Sequence, residues 1–189
     1  MTNIAIFVSG SGSNCENIIK HFQGNKEIRI RLVLSDKEDA YALVRAQNLG
    51  IETRVLDKKE FNDPDLLMPI LEQFDVNFIV LAGFLLFIPD FLIKAFNHRM
   101  INLHPALLPK HGGKGMWGHH VHEAVKADGD TETGMTVHWV SHEIDGGEII
   151  AQFSTSISPD DTPDDIAAKE HVLEMEHFPQ VIEKVINQL

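Results

Sequence analysis

The first hundred residues alternate short runs of β-branched residues with helical patterns, and this alternation constrains the fold more than any other feature. The runs NIAIFV, IRLVLS and TRVLD indicate strands, while helical patterns follow Ser13 and cover AYALVRAQNL before Gly50. A further run, NFIVLAGF, is apolar at consecutive positions, which is typical of a strand buried on both faces. The pattern predicts a Rossmann-like α/β fold with a mostly parallel sheet and helices on both faces.

The second half of the chain predicts a mixed sheet. A strand over 100–104 is followed by a helix over 120–128, and the strands GMTVHWV and EIIAQFSTSI are joined through a DGG turn. A long helix closes the chain, because Thr162 is a suitable N-cap and Pro163 suits the first helical position. Pro179 should end or kink this helix.

Composition indicates a soluble protein that acts on small molecules. The chain has 189 residues, 43% hydrophobic and 23% charged, so we expect one domain over 1–189. A net charge of −12 without a basic block argues against binding nucleic acid or an anionic membrane. The run FIVLAGFLLFIP is too short to span a bilayer, and the lone Cys15 agrees with a reducing, cytoplasmic compartment. Composition leaves the oligomeric state open.

The loop SGSGSN follows the first strand and opens the first helix. Glycine lets backbone N–H groups approach an anion closely, and a helix N-terminus adds partial positive charge. The loop Ser9–Asn14 is therefore a candidate binding site for a phosphate group. The loop is not a dinucleotide fingerprint, because Cys15 stands where the third glycine would be. The alternative is a tight turn in which Ser13 or Asn14 caps the helix.

Two polar residues, Asn102 and His104, end the strand INLH, while Ile101 and Leu103 alternate with them. Residues two apart share a face, so the amide and the imidazole should project side by side. The following Pro105 keeps His104 extended at the carboxyl end of the strand, where open α/β sheets bind ligands. An amide beside an imidazole suits oxyanion stabilisation and proton transfer. The alternative is a hydrogen-bonded structural histidine.

A possible third member of this group is Asp145 in HEIDGGEII. A carboxylate on a loop with two glycines can approach an imidazole and favour its protonated form, or it can position a relaying water. The alternative is an Asp-Gly turn between antiparallel strands. His138, in the preceding strand, is either an outer member of the site or, as we favour, a satisfied core histidine.

A dense group of histidines occurs in GHHVHEAV, but neither an HExxH pattern nor a cysteine partner accompanies it. We therefore expect no metal centre there.

The motifs GSGSN, VLAGF, INLHPALLPK and DGGEII, in this order, resemble those of the folate-dependent formyltransferases, and the resemblance covers essentially the whole chain. The phosphate loop narrows the resemblance to members that act on glycinamide ribonucleotide. The resemblance implies direct transfer of formyl from 10-formyltetrahydrofolate to the amine of that substrate in de novo purine biosynthesis, without metal. It also implies a phosphate-binding half, 1–100, and a catalytic and folate-binding half, 101–189.

The resemblance implies roles for individual residues. Asn102, His104 and Asp145 would be catalytic, and Glu174 would contact the sugar and amide part of the substrate. The phosphate would lie on Gly12, Ser13 and Asn14. The residues implied to border the folate are Leu81, Leu85, Leu86, Phe87, Ile88, Val140, Ser141 and Ile144. Leu85 and Leu86 stand where many relatives have Met-Arg, so polar folate contacts differ there.

Three other functions compete. Methionyl-tRNA formyltransferases resemble this chain in the catalytic half but carry a basic tRNA-binding extension, whereas this chain is acidic. Formyltetrahydrofolate hydrolases have no need for a substrate phosphate loop. A non-catalytic nucleotide-binding module would keep that loop but would not need Asn102, His104 and Asp145 together.

Overall fold

The computed structural model describes residues 1–189 and contains seven strands and seven helices. The strands follow the order β3-β2-β1-β4-β5-β6-β7 in one sheet, so the expected mostly parallel sheet with a mixed second half is confirmed. The strands are β1 Thr2–Phe7, β2 Ile28–Ser35, β3 Glu52–Val55, β4 Phe78–Leu81, β5 Met100–His104, β6 Glu132–Trp139 and β7 Ile149–Ser156. The helices are α1 Ser13–His21, α2 Tyr41–Asn48, α3 Lys58–Phe61, α4 Pro64–Gln73, α5 Asp90–Ala95, α6 His119–Ala127 and α7 Pro163–Ile186.

The chain divides into two compact units, Met1–Ile101 and Asn102–Leu189. This boundary differs by one residue from that between the expected halves, and the expectation of a single domain stays a prediction.

The first unit is built around β1, which pairs in parallel with β2 on one side and β4 on the other. Its residues from Ile4 to Phe7 have no solvent exposure, as expected for a central strand. The strand ends at Phe7, and the chain passes through the glycine-rich loop directly into α1.

The second unit pairs β6 with β7 in an antiparallel arrangement and packs α7 against both strands and against α6. The start of α7 is fixed by a capping box, in which the Thr162 side chain accepts from the backbone of Asp165 and the Asp165 side chain accepts from that of Thr162. This cap was predicted from the sequence.

Three features differ from the sequence expectations. The short helices α3 and α5 were not predicted, and β4 stops at Leu81, before the end of the NFIVLAGF run. Helix α7 continues past Pro179 to Ile186, so this proline does not end the helix, and the alternative expectation of a kink stays a prediction. Pro179 and its neighbour Phe178 are buried, and this packing outweighs the backbone hydrogen bond that proline cannot donate.

Candidate active site

Strand β5 places Asn102 and His104 as the alternation predicts. Ile101 and Leu103 are buried in the core, whereas Asn102 is half-buried and His104 is 4% exposed. The imidazole therefore lies in an environment from which bulk water is largely excluded.

The segment after His104 is fixed by side chains of β6 and β7. The hydroxyl of Thr136 donates to Ala106 O (2.7 Å) and accepts from Leu108 N (3.1 Å). Gln152 Nε2 donates to both Leu108 O (2.8 Å) and Thr136 Oγ1 (2.9 Å). These bonds hold the turn without strand pairing, and the donor and acceptor capacity of the Thr136 hydroxyl is filled.

The loop between β6 and β7 brings Asp145 to His104. Asp145 Oδ2 lies 3.5 Å from His104 Nδ1 and accepts a hydrogen bond from Gly113 N (3.0 Å). Asp145 has a φ of 54°, in the left-handed region. A Cβ at Gly147 would lie 1.7 Å from Trp139 O, so that position of the DGG turn requires glycine. Asp145 thus belongs to the loop joining two antiparallel strands and also meets the imidazole.

His138 is a further member of this group. It is 2% exposed, as expected of a core histidine, but its Nε2 lies 3.1 Å from Asn102 Nδ2 and 3.7 Å from Asp145 Oδ1. Its Nδ1 lies 2.9 Å from Trp139 O. A carbonyl only accepts, so Nδ1 carries the proton and Nε2 of the neutral ring accepts from the Asn102 amide. His138 therefore orients Asn102.

Burial and neighbouring charges act in opposite directions on the pKa values of His104 and Asp145. Burial lowers the pKa of His104 below its ordinary value, although the Asp145 carboxylate and the His111 carbonyl act to raise it. Burial raises the pKa of Asp145, but the nearby His138 and His104 rings and the Gly113 N–H outweigh it, so the Asp145 pKa lies below its ordinary value. Asp145 is therefore an anion at neutral pH.

Helix α7 carries a second polar cluster in this unit. Glu174 is 8% exposed and its Oε2 lies 2.9 Å from His171 Nδ1. One turn earlier Glu170 is 2% exposed, and burial together with the adjacent Glu174 raises the Glu170 pKa well above its ordinary value. Glu170 is consequently a neutral acid that hydrogen-bonds to Glu174.

The phosphate-loop candidates lie in the first unit at the start of α1. Gly12 is the N-cap with a φ of 78°, and no side chain caps the helix, so the alternative of a Ser13 or Asn14 cap is wrong. Two residues of α2 hold the loop through its carbonyl oxygens: Arg45 Nε donates to Ser11 O (2.9 Å), and Ala42 N donates to Gly10 O (3.2 Å). The N-cap of α1 therefore provides no side-chain acceptor for the first-turn N–H groups.

The residues that the resemblance assigned to folate occupy varied environments. In the first unit Leu81 is buried and Leu86 and Ile88 are half-buried, while Leu85 is 42% and Phe87 64% exposed. In the second unit Val140 and Ser141 are half-buried and Ile144 is 45% exposed.

Sequence reasoning weighed His138 as an outer member of the site but favoured a core histidine. It missed two backbone groups, the N–H of Gly113 and the carbonyl of His111, which lies 2.8 Å from His104 Nε2. The alternation of His138 with Val137 and Trp139 was the one signal available, since backbone groups leave none in the sequence.

No group of three or more His, Cys, Asp or Glu side chains is arranged to hold a metal ion. None of the helices combines the length and apolar content needed to cross a bilayer.

Comparison with known proteins identifies the family. A family model described as formyl transferase matches residues 2–182. Phosphoribosylglycinamide formyltransferase of Escherichia coli (strain K12) is 36% identical over 186 residues, covering 95% of this chain and 85% of that protein. The chloroplastic phosphoribosylglycinamide formyltransferase of Arabidopsis thaliana is 38% identical over 180 residues, and the match covers 92% of this chain but 61% of that protein.

Solved structures agree with this assignment. The crystal structure of phosphoribosylglycinamide formyltransferase from Bacillus halodurans aligns with a TM-score of 0.88 at 30% identity, covering 98% of this chain and 95% of that one. Both the sequence and the fold therefore match proteins of one name over nearly the whole chain. The chain belongs to the formyl transferase family, and within it to the group of the phosphoribosylglycinamide formyltransferases.

Proposed function

We propose that this chain transfers a formyl group from 10-formyltetrahydrofolate to the amine of glycinamide ribonucleotide, a step of de novo purine biosynthesis. The observation that carries the proposal is the meeting of His104 Nδ1 with Asp145 Oδ2 at 3.5 Å, with Asn102 on the same strand end. The names of the relatives support the same acceptor.

The reaction begins when the substrate amine attacks the formyl carbon, which forms a C–N bond and moves the carbonyl electron pair onto oxygen. The Asn102 amide has two N–H groups; one bonds to His138, and the other donates to the developing oxyanion. Protonated His104 is the second donor. At 3.5 Å its Nδ1 interacts with Asp145 mainly through charge, so Nδ1–H is not committed to a short hydrogen bond with the carboxylate and can donate to an oxyanion beside it.

Asp145 supports the proton movements of the reaction. Its carboxylate favours the protonated imidazole and attracts the proton that the attacking nitrogen loses. Collapse of the tetrahedral intermediate then breaks the bond from the formyl carbon to N10 of the folate, and that nitrogen takes up a proton. The low exposure of His104 and Asp145 keeps bulk water from competing with the amine.

The remaining candidate residues bind the substrates in this proposal. Gly12, Ser13 and Asn14 present helix N-terminal N–H groups to the phosphate. Glu174 is buried and can accept from the hydroxyl or amide groups of glycinamide ribonucleotide.

The folate candidates fit a flat, partly apolar ring system. Leu85, Phe87 and Ile144 expose apolar side chains that are available for such contact. The other residues proposed to contact folate are Leu81, Leu86 and Ile88 in the first unit and Val140 and Ser141 in the second. The lone Cys15 supports a cytoplasmic enzyme.

The test is an acceptor competition with purified protein and 10-formyltetrahydrofolate labelled with ¹³C in the formyl group. Glycinamide ribonucleotide, initiator tRNA charged with methionine, and water are offered separately, and the labelled product is identified by mass spectrometry. We expect rapid labelling of glycinamide ribonucleotide alone. Faster release of labelled formate without an acceptor would identify a hydrolase, and labelling of the tRNA would identify a methionyl-tRNA formyltransferase; either result would overturn the proposal.

A further inference from the structure

His111 lies in the loop that follows β5 and is held in an unusual conformation. Its φ is 54°, in the left-handed region that non-glycine residues rarely adopt. The side chain is 7% exposed, and its Nε2 lies 2.7 Å from Asp130 Oδ2. The same carboxylate accepts from Lys110 Nζ. The ring of His111 is therefore anchored to a charged partner, and this contact helps to hold its backbone.

The backbone of His111 contacts His104 directly. His111 O lies 2.8 Å from His104 Nε2. Because a carbonyl oxygen has no proton to give, this distance requires that Nε2 carries a hydrogen and donates it. The other imidazole nitrogen, Nδ1, then faces Asp145 Oδ2 at 3.5 Å and is the atom that gains or loses a proton.

We propose that His111 and Asp130 are positioning residues that hold His104 in the tautomer with hydrogen on Nε2, which reserves Nδ1 for proton transfer beside Asp145. This proposal rests on the proposed function for its kinetic consequence, but not for the tautomer itself. Asp130 acts through the ring of His111, and His111 acts through its carbonyl oxygen. Neither residue needs to touch a substrate.

The charges around these groups agree with this role. The hydrogen bond from Lys110 lowers the pKa of Asp130, burial opposes it, and the hydrogen bond from His111 lowers it further, so Asp130 remains an anion that can accept from the ring. Asp128 Oδ2 lies 3.9 Å from His111 Nδ1, beyond hydrogen-bond distance, and its side chain is 59% exposed. Around His104 itself the titratable neighbours are Asp145, His138, His111 and His122.

The tautomer is tested first on the unaltered protein by ¹⁵N NMR of the imidazole nitrogens, with the His104 signals assigned from their loss in His104→Gln. Above the pKa of His104 we expect Nε2 to show a bound proton and Nδ1 to show none. A neutral ring with its proton on Nδ1 would overturn the proposal. Substrates are absent from this measurement, so its result is independent of whether the protein transfers formyl groups.

The role of the anchor is tested with Asp130→Ala, and Asp128→Ala is the matched control from the same turn. We expect Asp130→Ala to lower kcat roughly tenfold at neutral pH, which corresponds to about a tenfold smaller population of protonated His104. KM for glycinamide ribonucleotide should stay within about twofold, because Asp130 does not touch that substrate. The alkaline decline of kcat should move to lower pH, whereas the control should resemble the unaltered enzyme.

A conservative variant separates positioning from general loss of structure. The side-chain oxygen of Asp130→Asn can still accept from His111, so this variant should recover most of the lost kcat and the Nε2 proton signal. Equal kcat, pH profile and ¹⁵N signals in Asp130→Ala and the unaltered protein would overturn the role of the anchor. If the unaltered protein transfers no formyl group while the ¹⁵N result holds, the proposed function fails and the tautomer assignment stands.

Discussion

Each polar side chain of the candidate site has a specific partner, and these partners determine what each atom can do. The His138 ring accepts a hydrogen bond from the Asn102 amide, and the His111 carbonyl accepts one from Nε2–H of His104. The backbone N–H of Gly113 donates to the Asp145 carboxylate. These contacts leave one amide N–H of Asn102 and the Nδ1 of His104 for the proposed reaction. The site is therefore organised before a substrate arrives, which avoids reorganisation during the reaction.

Replacing Asp145 by asparagine tests whether the negative charge of this side chain, rather than its size and hydrogen bonding, supports activity. Asp145→Asn keeps an oxygen for Gly113 N–H but removes the negative charge beside His104. We expect a stable protein with kcat lower by about 10²–10⁴-fold, the usual contribution of a positioned acid or base. Steady-state kinetics measure this, with Glu143→Gln on the same exposed loop as the control. An unchanged kcat would show that the DGG carboxylate has only a structural role.

The pH dependence of activity should follow His104. Burial lowers its pKa and Asp145 raises it, and the proposed reaction uses the protonated ring. kcat should therefore decline as pH rises through a pKa below the ordinary histidine value. Asp145→Asn removes a contribution that raises the pKa, so the decline should move to lower pH, as measured by kcat profiles and by ¹⁵N titration of His104. Movement to higher pH would contradict the assigned electrostatics.

At the scale of elements, the turn from β1 into α1 depends on contact with α2. A Cβ at Gly12 would lie 2.4 Å from Ala42 Cβ, and its φ of 78° disfavours any side chain. Gly10, in the same loop, has nothing within 4 Å of such an atom. The two glycines therefore differ in what they tolerate.

Gly12→Ala should displace the loop from α2 and disturb the N–H groups at the start of α1. We expect a loss of roughly 1–3 kcal/mol in the free energy of unfolding, from the strained backbone conformation. KM for glycinamide ribonucleotide should rise at least about tenfold, since a phosphate hydrogen bond contributes on the order of 1.5–3 kcal/mol. Denaturant unfolding and kinetics measure the two effects, with Gly10→Ala as the control for stability. Unaltered KM in a destabilised Gly12→Ala protein would contradict the phosphate assignment.

At the scale of the whole molecule, stability depends on pH through buried groups as well as through the net charge. Glu170 is the clearest case, because burial raises its pKa in the folded state while the unfolded chain has an ordinary carboxyl. At pH values below the pKa that Glu170 has in the unfolded chain, the carboxyl is protonated in both states and does not lower the free energy of unfolding. As pH rises toward the folded pKa the unfolded state loses its proton first, so the folded protein becomes progressively less stable.

Glu170→Gln should remove that dependence. We expect the variant to be more stable than the unaltered protein at pH 8, with a smaller difference at pH 5, because glutamine has no proton to lose. Urea unfolding at the two pH values measures the difference. Glu176→Gln, at a side chain 65% exposed on the same helix, should show little change at either pH. A Glu170→Gln effect that is constant with pH would show that packing rather than ionisation controls stability there.

Much of the fold could be predicted from local patterns in the sequence. Strand β5 was predicted with its observed bounds, since alternation and Pro105 define both its faces and its end. The start of α7 was predicted from Thr162 and Pro163. Helices α3 and α5 span only four and six residues, too few for a periodic signal.

The candidate site was predictable in its members but not in its geometry. Asn102, His104 and Asp145 follow from residue type and motif, whereas the contact from Gly113 to Asp145 joins residues 32 positions apart. The continuation of α7 through Pro179 likewise depends on tertiary packing, which overrides local propensity.

The hydroxyl of Thr136 has one further consequence. It ties Leu108 N to β6, so an amide in an irregular segment has a buried hydrogen bond like those of a central strand. In deuterated solvent this amide should retain its hydrogen through local opening of the surrounding loop and lose it only when β6 and β7 separate. The polypeptide just beyond His104 should thus open as slowly as the sheet itself.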